Sequence, residues 1–308
     1  TRILGFLLFI EAGLMFLCQL VCWIYGEGMD DFVLPICVAL LLGGLGVLLG
    51  RNAGKSMGRK DGYIIVSFIW VLFTLIGMLP FLLGNHVPDV ASAFFETMSG
   101  FTSTGATIID DVDSMPHGIL FWRSLTQWIG GIGIVFFTIA ILPAFGVGEV
   151  KLFAAESTGP LHDKVHPRIS IAVRWIGGVY IALTLLCVIA LLMCGMPLFD
   201  AVNYSLCTTA TGGYGTHSSL LGEYYHSPAI EYVLIFFMFV SGINYTLIYY
   251  TILKGKVKKF FDNMELRTYL IIVLGASLAC AVTLAVEVPG YGVEYAIRQS
   301  LFTVISLQ

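Results

Sequence analysis

Long apolar runs separated by short polar stretches extend along almost the whole of this chain. A helix needs about 20 mostly apolar residues to cross a bilayer. Seven segments reach that length, and we predict one membrane-spanning helix in each: 3–25, 32–50, 63–84, 118–143, 170–195, 227–253 and 268–288. The composition agrees, because 57% of the residues are hydrophobic, 12% are charged and the mean hydropathy is +0.89. We therefore predict an all-α polytopic membrane protein.

Three shorter amphiphilic segments follow predicted spans but are too short to cross a bilayer themselves. They lie at about 91–101, 199–208 and 293–307. Non-helical backbone at membrane depth is tolerated only where it is buried in protein or lines a water-filled path. Since the first two segments lead directly into Gly-containing turns, we interpret all three as re-entrant half-helices.

A Thr/Gly-rich motif occurs twice, at the ends of the first two half-helices. The first turn is Ser-Gly-Phe-Thr-Ser-Thr-Gly-Ala-Thr at 99–107, and the second turn is Leu-Cys-Thr-Thr-Ala-Thr-Gly-Gly-Tyr at 206–214. Aligning Gly105 with Gly212 is the register that the internal repeat favours. The alternative is Gly213, because the second turn continues as Thr-Gly-Gly-Tyr-Gly, which is close to the Thr-Val-Gly-Tyr-Gly of potassium channels.

The two turns have the chemistry of a cation filter. Rings of backbone carbonyls replace the hydration shell of an ion in such filters. Glycine permits backbone angles at which successive carbonyls point the same way. The candidate filter residues, acting mainly through their backbone carbonyls, are Thr102, Ser103, Thr104, Gly105, Thr209, Ala210, Thr211 and Gly212.

The order helix, half-helix with turn, helix divides the chain into four predicted regions. These are two leading helices (1–61), a first helix–pore loop–helix repeat (62–150), a second repeat (165–260) and an incomplete third repeat (266–308). Pairing Phe95 with Phe302 places the end of the chain one residue before a third filter strand. Because a filter ring of this kind needs four units, we expect a longer parent chain and no conduction by this fragment alone.

The basic residues give an orientation. Fourteen of the sixteen Lys and Arg residues fall on one side if the seven spans alternate, and only Arg123 and Arg298 fall on the other. The positive-inside rule makes the first side cytoplasmic, together with the N-terminus. Both turns then face outward. That face carries carboxylates, which either raise the local cation concentration or are solvated loop charges: Glu27, Asp30, Asp31, Asp89, Asp110, Asp111, Asp113, Asp200 and Glu223.

Three motifs together resemble the Trk/Ktr/HKT superfamily of potassium transporters, and the two leading helices resemble its Trk branch. They are the first turn, the segment Trp-Ile-Gly-Gly-Ile-Gly-Ile at 128–134 that runs into Ile-Leu-Pro at 141–143, and the loop Glu-Ser-Thr-Gly-Pro at 156–160 with Pro167-Arg168. The resemblance implies a potassium-channel-like fold and potassium as the transported ion. It also implies a homodimer with a cytosolic nucleotide-binding regulatory subunit, in the plasma membrane of a bacterium.

Two other function classes were weighed. A secondary transporter that binds another cation or solute at broken helices would place charged residues along its path, yet the spans are nearly free of charge except for Glu11. An intramembrane enzyme would carry a motif such as His-Glu-x-x-His, which does not occur. We predict no enzymatic activity, no organic cofactor and no nucleic-acid partner, with the lipid bilayer as the surroundings.

Several single residues allow two interpretations. Arg123 either pairs with one of the aspartates at 110–113 or extends to the membrane interface. The glycines at 130, 131 and 133, like Ser241-Gly242, serve helix packing or act as hinges. Glu96 and Asn203 are equivalent under the favoured register and either hydrogen-bond behind the filter or face water. His162 and His166 are two residues of a cytoplasmic loop, which is too few for a metal site.

Overall fold

The computed structural model describes residues 2–51, 59–141, 169–219, 225–245, 247–248, 251, 262–287 and 292–307. Every regular element within these ranges is an α-helix, which confirms the predicted fold class. The chain divides into two compact units, Thr1–Val173 and Arg174–Gln308. The expectations for the loop at 156–168, its two histidines and the basic residues at 254–259 concern residues outside the described ranges.

Six helices lie wholly within the described part of the first unit. They are α1 (Arg2–Tyr25), α2 (Asp30–Leu49), α3 (Arg59–Gly77), α4 (Leu79–Leu83), α5 (Val90–Phe101) and α6 (His117–Ile141). The leading helices α1 and α2 pack against each other as a hairpin, and α1 also contacts α3 and α6. The short helix α5 packs between α3 and α6, and all three flank the first turn.

The second unit is built from α7 (Ile169–Met193), α8 (Leu198–Thr209), α9 (Pro228–Ser241), α10 (Met264–Glu287) and α11 (Val293–Ser306). One apolar core joins α7, α8 and α9 through Cys187, Leu191, Ala201, Ile230 and Leu234. The helix α11 packs against both α9 and α10. The short helix that precedes the second turn is thus held by the spans on either side of it, as in the first unit.

The half-helices have the predicted lengths. Both α5 and α8 contain 12 residues, which corresponds to about 18 Å of helix, well below the roughly 30 Å of a hydrocarbon core. Four longer helices are long and apolar enough to cross a membrane among the residues described: α1, α2, the Trp175–Met193 part of α7, and α10. The combination indicates a multi-pass membrane protein that carries half-helices.

Two predicted continuous spans are interrupted, which corrects the sequence analysis. The span at 63–84 is divided at Met78 into α3 and α4, because Pro80 has no amide hydrogen and its ring crowds the preceding turn. The span at 227–253 is divided after Ser241. Gly242 caps α9, and a new turn begins where the amide of Leu247 donates to the carbonyl of Asn244 at 2.9 Å.

Candidate functional site

The first turn begins where α5 ends. The Asp89 side chain caps the N-terminus of α5 by accepting a hydrogen bond from the Ser92 amide at 2.9 Å. At the other end, Ser103 adopts a left-handed φ of 53°, and its amide donates to the Gly100 carbonyl at 2.9 Å. Two residues later Gly105 has a φ of 76°. The helix therefore ends in a left-handed cap, and glycine follows where a second positive φ is required.

The second turn repeats this conformation at the end of α8. Thr211 has a φ of 52°, and its amide donates to the Thr208 carbonyl at 3.2 Å. The next amide, that of Gly212, donates to the Cys207 carbonyl at 2.9 Å. Two residues after Thr211, Gly213 has a φ of 97°. The same alternation of left-handed and ordinary residues therefore occurs in both units.

The backbone fixes the register between the two turns and corrects the predicted one. The helices α5 and α8 are equal in length, and α8 begins 108 residues after α5. Ser103 corresponds to Thr211 by its left-handed conformation, and Gly105 corresponds to Gly213 rather than to Gly212. The favoured register was therefore wrong by one position, and the alternative suggested by the Thr-Gly-Gly-Tyr-Gly sequence is the one that the structure has.

Thr209 belongs to the helix and not to the turn. It is the last residue of α8 and corresponds to Phe101. Its side chain is 2% exposed and donates to the Ser205 carbonyl at 2.7 Å. Its own carbonyl accepts a hydrogen bond from the Tyr245 hydroxyl at 3.3 Å. The hydroxyl and the carbonyl of Thr209 therefore both have protein partners.

The carbonyl oxygens of residues 102–105 and 210–213 differ in this respect from that of Thr209. Across the residues that the structure describes, no hydrogen bond ends on a carbonyl oxygen of 102–105 or of 210–213. The side chains of the first turn are instead fixed from behind. The Ser103 hydroxyl donates to the Gln127 carbonyl of α6 at 3.1 Å, and the hydroxyls of Thr102 and Thr104 are 2.8 Å apart. The turn thus presents free carbonyls on a held backbone.

A buried carboxylate is hydrogen-bonded to the segment that follows the first turn. Glu96 of α5 is 1% exposed, and its Oε2 accepts a hydrogen bond from the Ile108 amide at 3.1 Å. Its Oε1 accepts the Thr107 hydroxyl and the Nε of Arg123, both at 3.0 Å. Arg123 is 2% exposed, so the expectation that it extends to the membrane interface was wrong. The sequence analysis did not identify Glu96 as its partner.

The second unit holds the corresponding strand with different residues. The hydroxyl of Thr216 donates to Asp200 Oδ1 at 2.8 Å. Tyr204, not Asn203, corresponds to Glu96 in the structural register. Asn203 instead donates to the Phe199 carbonyl of its own helix at 2.7 Å. Asp200 was predicted as an outward-facing acidic residue, and the structure adds that it anchors this strand.

Both units therefore combine three features in their described residues. These are a half-helix, a left-handed turn with carbonyls that accept no hydrogen bond, and a following segment that is hydrogen-bonded to the half-helix. This construction defines a polytopic helical membrane protein with re-entrant segments. Comparison with known proteins identifies the family. The sequence profile of the TrkH family, described as cation transport protein, matches residues 29–305.

Three known proteins illustrate the similarity. The Trk system potassium uptake protein TrkH of Salmonella typhimurium is 36% identical over 312 residues, which cover 100% of this chain and 64% of that protein. The corresponding TrkG of Escherichia coli K12 is 34% identical over 278 residues, 89% of this chain and 57% of that protein. The crystal structure of the potassium transporter TrkH from Vibrio parahaemolyticus matches with a TM-score of 0.87 and 33% identity, covering 99% of this chain and 63% of that one.

The chain belongs to the TrkH family of cation transport proteins. It spans about 64% of the length of the Salmonella relative. Within the described residues, no group of three or more His, Cys, Asp or Glu side chains is arranged to hold a metal ion.

Proposed function

We propose that this chain contributes to potassium uptake across a membrane and that its two turns are strands of the selectivity filter. The observation that carries the proposal is the shared backbone of the turns, with carbonyls that no protein group uses. Relatives that are 34–36% identical are named potassium uptake proteins, which supports potassium as the transported ion. No enzymatic step and no organic cofactor enter the proposal.

In this proposal the carbonyl oxygens replace part of the hydration shell of the ion as it enters the turn. The first strand consists of Thr102, Ser103, Thr104 and Gly105. By the structural register the second consists of Ala210, Thr211, Gly212 and Gly213, so that Gly213 replaces Thr209 in the predicted set. The two glycines with positive φ keep the strand bent without a Cβ clash.

The proposed membrane arrangement places both turns outside. The N-terminus lies in the cytoplasm of a bacterial cell, as the distribution of Lys and Arg indicates. The regions 1–61, 62–150, 165–260 and 266–308 are the leading helices and three successive repeats. The acidic residues beside the turns then lie at the external entrance, where they attract cations.

The proposed partners follow from membership in the family. We infer a homodimer in the lipid bilayer, together with a cytosolic nucleotide-binding subunit that controls transport. The relatives are named as parts of a Trk system, which supports the presence of further components. Copurification of the chain with such a subunit, and the mass of the complex in detergent, test this part of the proposal.

Uptake of potassium is the direct test. The chain is produced in bacteria that lack their own potassium uptake systems. It is produced both by itself and as a chimera in which it replaces the matching part of the Vibrio parahaemolyticus protein. We expect the chimera to restore growth at limiting potassium and to take up rubidium faster than sodium. A chimera that inserts into the membrane yet takes up neither ion, or does not discriminate between them, would overturn the proposal.

Gly105→Ser tests the filter assignment within the same chimera. A side chain at a φ of 76° is strained, so the carbonyls around it shift. We expect the ratio of potassium to sodium uptake to fall by about tenfold, which corresponds to about 1.4 kcal/mol of discrimination. An unchanged ratio in proteoliposomes that contain the substituted protein would remove Gly105 from the filter.

A further inference from the structure

The helices that follow the two turns each carry one buried charge at the same relative position. Arg123 on α6 follows Gly105 by 18 residues, and Glu231 on α9 follows Gly213 by the same number. Their exposed fractions are 2% and 3%. A charge inside a membrane protein is costly unless it is paired. The two charges therefore have the same sequence distance from the turn and opposite signs, but they differ in helix position, since Arg123 is the seventh residue of α6 and Glu231 the fourth residue of α9.

The opposite charges select different partners. In the first unit, Arg123 Nε donates to Glu96 at 3.0 Å, and Glu96 lies on the half-helix of the same repeat. In the second unit, Glu231 accepts hydrogen bonds from Arg298 Nη1 and from Gln299 Nε2, the latter at 3.1 Å. Both donors lie on α11, which is the half-helix of the following repeat. One position thus anchors its own half-helix in the first repeat and the next half-helix in the second.

We propose that Glu96 and Arg123 are positioning residues for ion selection in the first turn, and that the buried charge 18 residues after the left-handed glycine anchors a half-helix in each unit, its own half-helix in the first and the next one in the second. The proposal rests on the proposed function for the role of the turns in ion selection. The anchoring itself is a property of this chain and is measured without transport.

The geometry explains why Glu96 acts on the carbonyls of 102–105. Glu96 is part of α5, which enters the turn, and it holds Thr107 and Ile108, which leave the turn. The four candidate carbonyls lie between these two fixed points. Arg123 completes the arrangement, since its Nη2 donates to the Thr107 hydroxyl at 3.2 Å. Loss of the carboxylate frees the outgoing strand and leaves a buried arginine without its carboxylate partner.

Hydrogen exchange tests the anchoring in the purified chain. Glu96→Ala removes the acceptor of the Ile108 amide, so we expect the peptide that contains this amide to exchange at least tenfold faster, the factor expected from one buried hydrogen bond. Glu96→Gln keeps a carbonyl oxygen for the amide and serves as the milder variant if the alanine variant does not fold. Arg267→Gln breaks an ion pair with Asp262 in which both side chains are 58% exposed, and it is the matched control.

The anchoring in the second unit has its own test. Glu231→Gln should accelerate exchange in α11 and leave α8 unchanged, whereas Arg123→Gln should accelerate exchange in α5 and in residues 104–109. Faster hydrogen exchange in α8, with exchange in α11 unchanged, would show that Glu231 does not anchor the next half-helix and would overturn this part of the proposal. Helical content measured by circular dichroism identifies variants that have unfolded, and for those the Gln variant of the partner residue is measured instead.

Ion discrimination by the chimera tests the functional half of the proposal. Glu96→Gln should lower the ratio of potassium to sodium uptake at least threefold, while Arg267→Gln should leave it unchanged. Faster exchange at Ile108 with an unchanged ion ratio would show that the anchor is structural only, and would overturn the role in selection. If the unsubstituted chimera does not take up potassium, the proposed function fails, and the exchange measurements still decide whether the anchor exists.

Discussion

Ser103, Gly105, Thr211 and Gly213 have left-handed backbone conformations, and they alternate with ordinary residues in each turn. A left-handed conformation costs a non-glycine residue about 1–2 kcal/mol, and a β-branched residue such as Thr211 adopts it rarely. Such strain persists only where the surrounding structure holds it. The bonds from the preceding helix and from α6 supply that support at Ser103.

Substitution at Gly213 separates backbone strain from lack of space. No atom lies within 4 Å of a Cβ built on this residue, and its φ is 97°. If the angle is what requires glycine, Gly213→Asn should be more stable than Gly213→Ala, because Asn tolerates left-handed backbone better. We expect the alanine variant to lose about 1 kcal/mol in thermal unfolding of the purified chain. An alanine variant at least as stable as the asparagine variant would contradict this.

The Asp89 cap predicts a pH dependence at the start of α5. The hydrogen bonds from the amide and hydroxyl of Ser92 favour the charged carboxylate and lower the pKa of Asp89 in the folded chain. A lowered pKa means that the cap stabilises the fold above the pKa of the unfolded chain, about 3.9, and that this contribution is lost as the pH falls below it.

The comparison of Asp89→Asn with the unsubstituted chain checks this dependence. Asparagine is also a good N-cap but does not ionise. We expect the difference in melting temperature between the two proteins to be present at pH 7 and to be smaller at pH 3. A difference that is the same at both values would show that the charge of Asp89 plays no part, and Asp89→Ala measures the loss of the whole cap.

The sequence predicted the location of both turns because their composition repeats, but not their register. The tandem Gly212-Gly213 admits two alignments, and the choice depends on where α8 stops. That end is set by hydrogen bonds between residues of the folded chain. The pairing of Arg123 with Glu96, 27 residues apart, was missed for a similar reason: it becomes visible only when the half-helix packs against α6.

At the scale of helices, α5 and α6 approach each other closely below the first turn. A Cβ built on Gly130 would lie 2.1 Å from the carbonyl oxygen of Phe101. The helix α6 continues from His117 to Ile141 without interruption. The packing interpretation therefore holds at Gly130. At Ser241-Gly242, by contrast, α9 ends, so this pair marks the interruption of the predicted span at 227–253.

Alanine at two glycines of α6 tests this contact. Gly130→Ala would push the helix away from the end of α5, and we expect a loss of about 2 kcal/mol or more. Gly133→Ala is the matched control, because its Cβ would meet Trp70 at an ordinary distance of 3.7 Å, and alanine favours the helix by about 0.5–1 kcal/mol. The melting temperatures of the two variants, measured by thermal unfolding, test this expectation. Equal melting temperatures would refute the packing role of Gly130.

Apolar length predicted most of the helices, but it concealed the two breaks. A window of about 20 residues averages over a single proline or glycine. Pro80 and Gly242 were visible in the sequence, yet the apolar residues on both sides continued the pattern. Whether each residue interrupts its helix depends on whether neighbouring helices satisfy the freed backbone groups. The apolar pattern of a single segment does not contain that information.

At the scale of the whole first unit, the leading hairpin is fastened to the first repeat on the side of the turn. Glu27, between α1 and α2, accepts hydrogen bonds from the amides of His117 and Gly118 at 2.8 and 3.1 Å. It therefore caps the N-terminus of α6 from another part of the chain. Asp31 of α2 pairs with His86 at 2.9 Å close to the start of α5. The hairpin thus supports both helices that flank the turn.

Glu27→Ala should loosen this connection. Two amides of α6 lose their acceptor, for which we expect a loss of about 1–2 kcal/mol, measured by thermal unfolding of the purified chain. Glu27→Gln keeps one acceptor and should lose less. Asp30→Asn removes an exposed carboxylate at the first residue after the same loop and should change stability by less than about 0.5 kcal/mol. A Glu27→Ala protein as stable as this control would show that the cap contributes nothing.

The two buried ion pairs also impose an order on biogenesis. In each pair the acidic residue is synthesised first: Glu96 precedes Arg123 by 27 residues, and Glu231 precedes Arg298 by 67. The carboxylate of each pair therefore leaves the ribosome before the arginine that neutralises it. The half-helix α5 cannot form its ion pair with Arg123 until α6 has been synthesised. In the second unit, Glu231 is already part of the chain when Arg298 of α11 is synthesised. The first turn is consequently held in its final conformation only after α6, the helix that follows it, is in place.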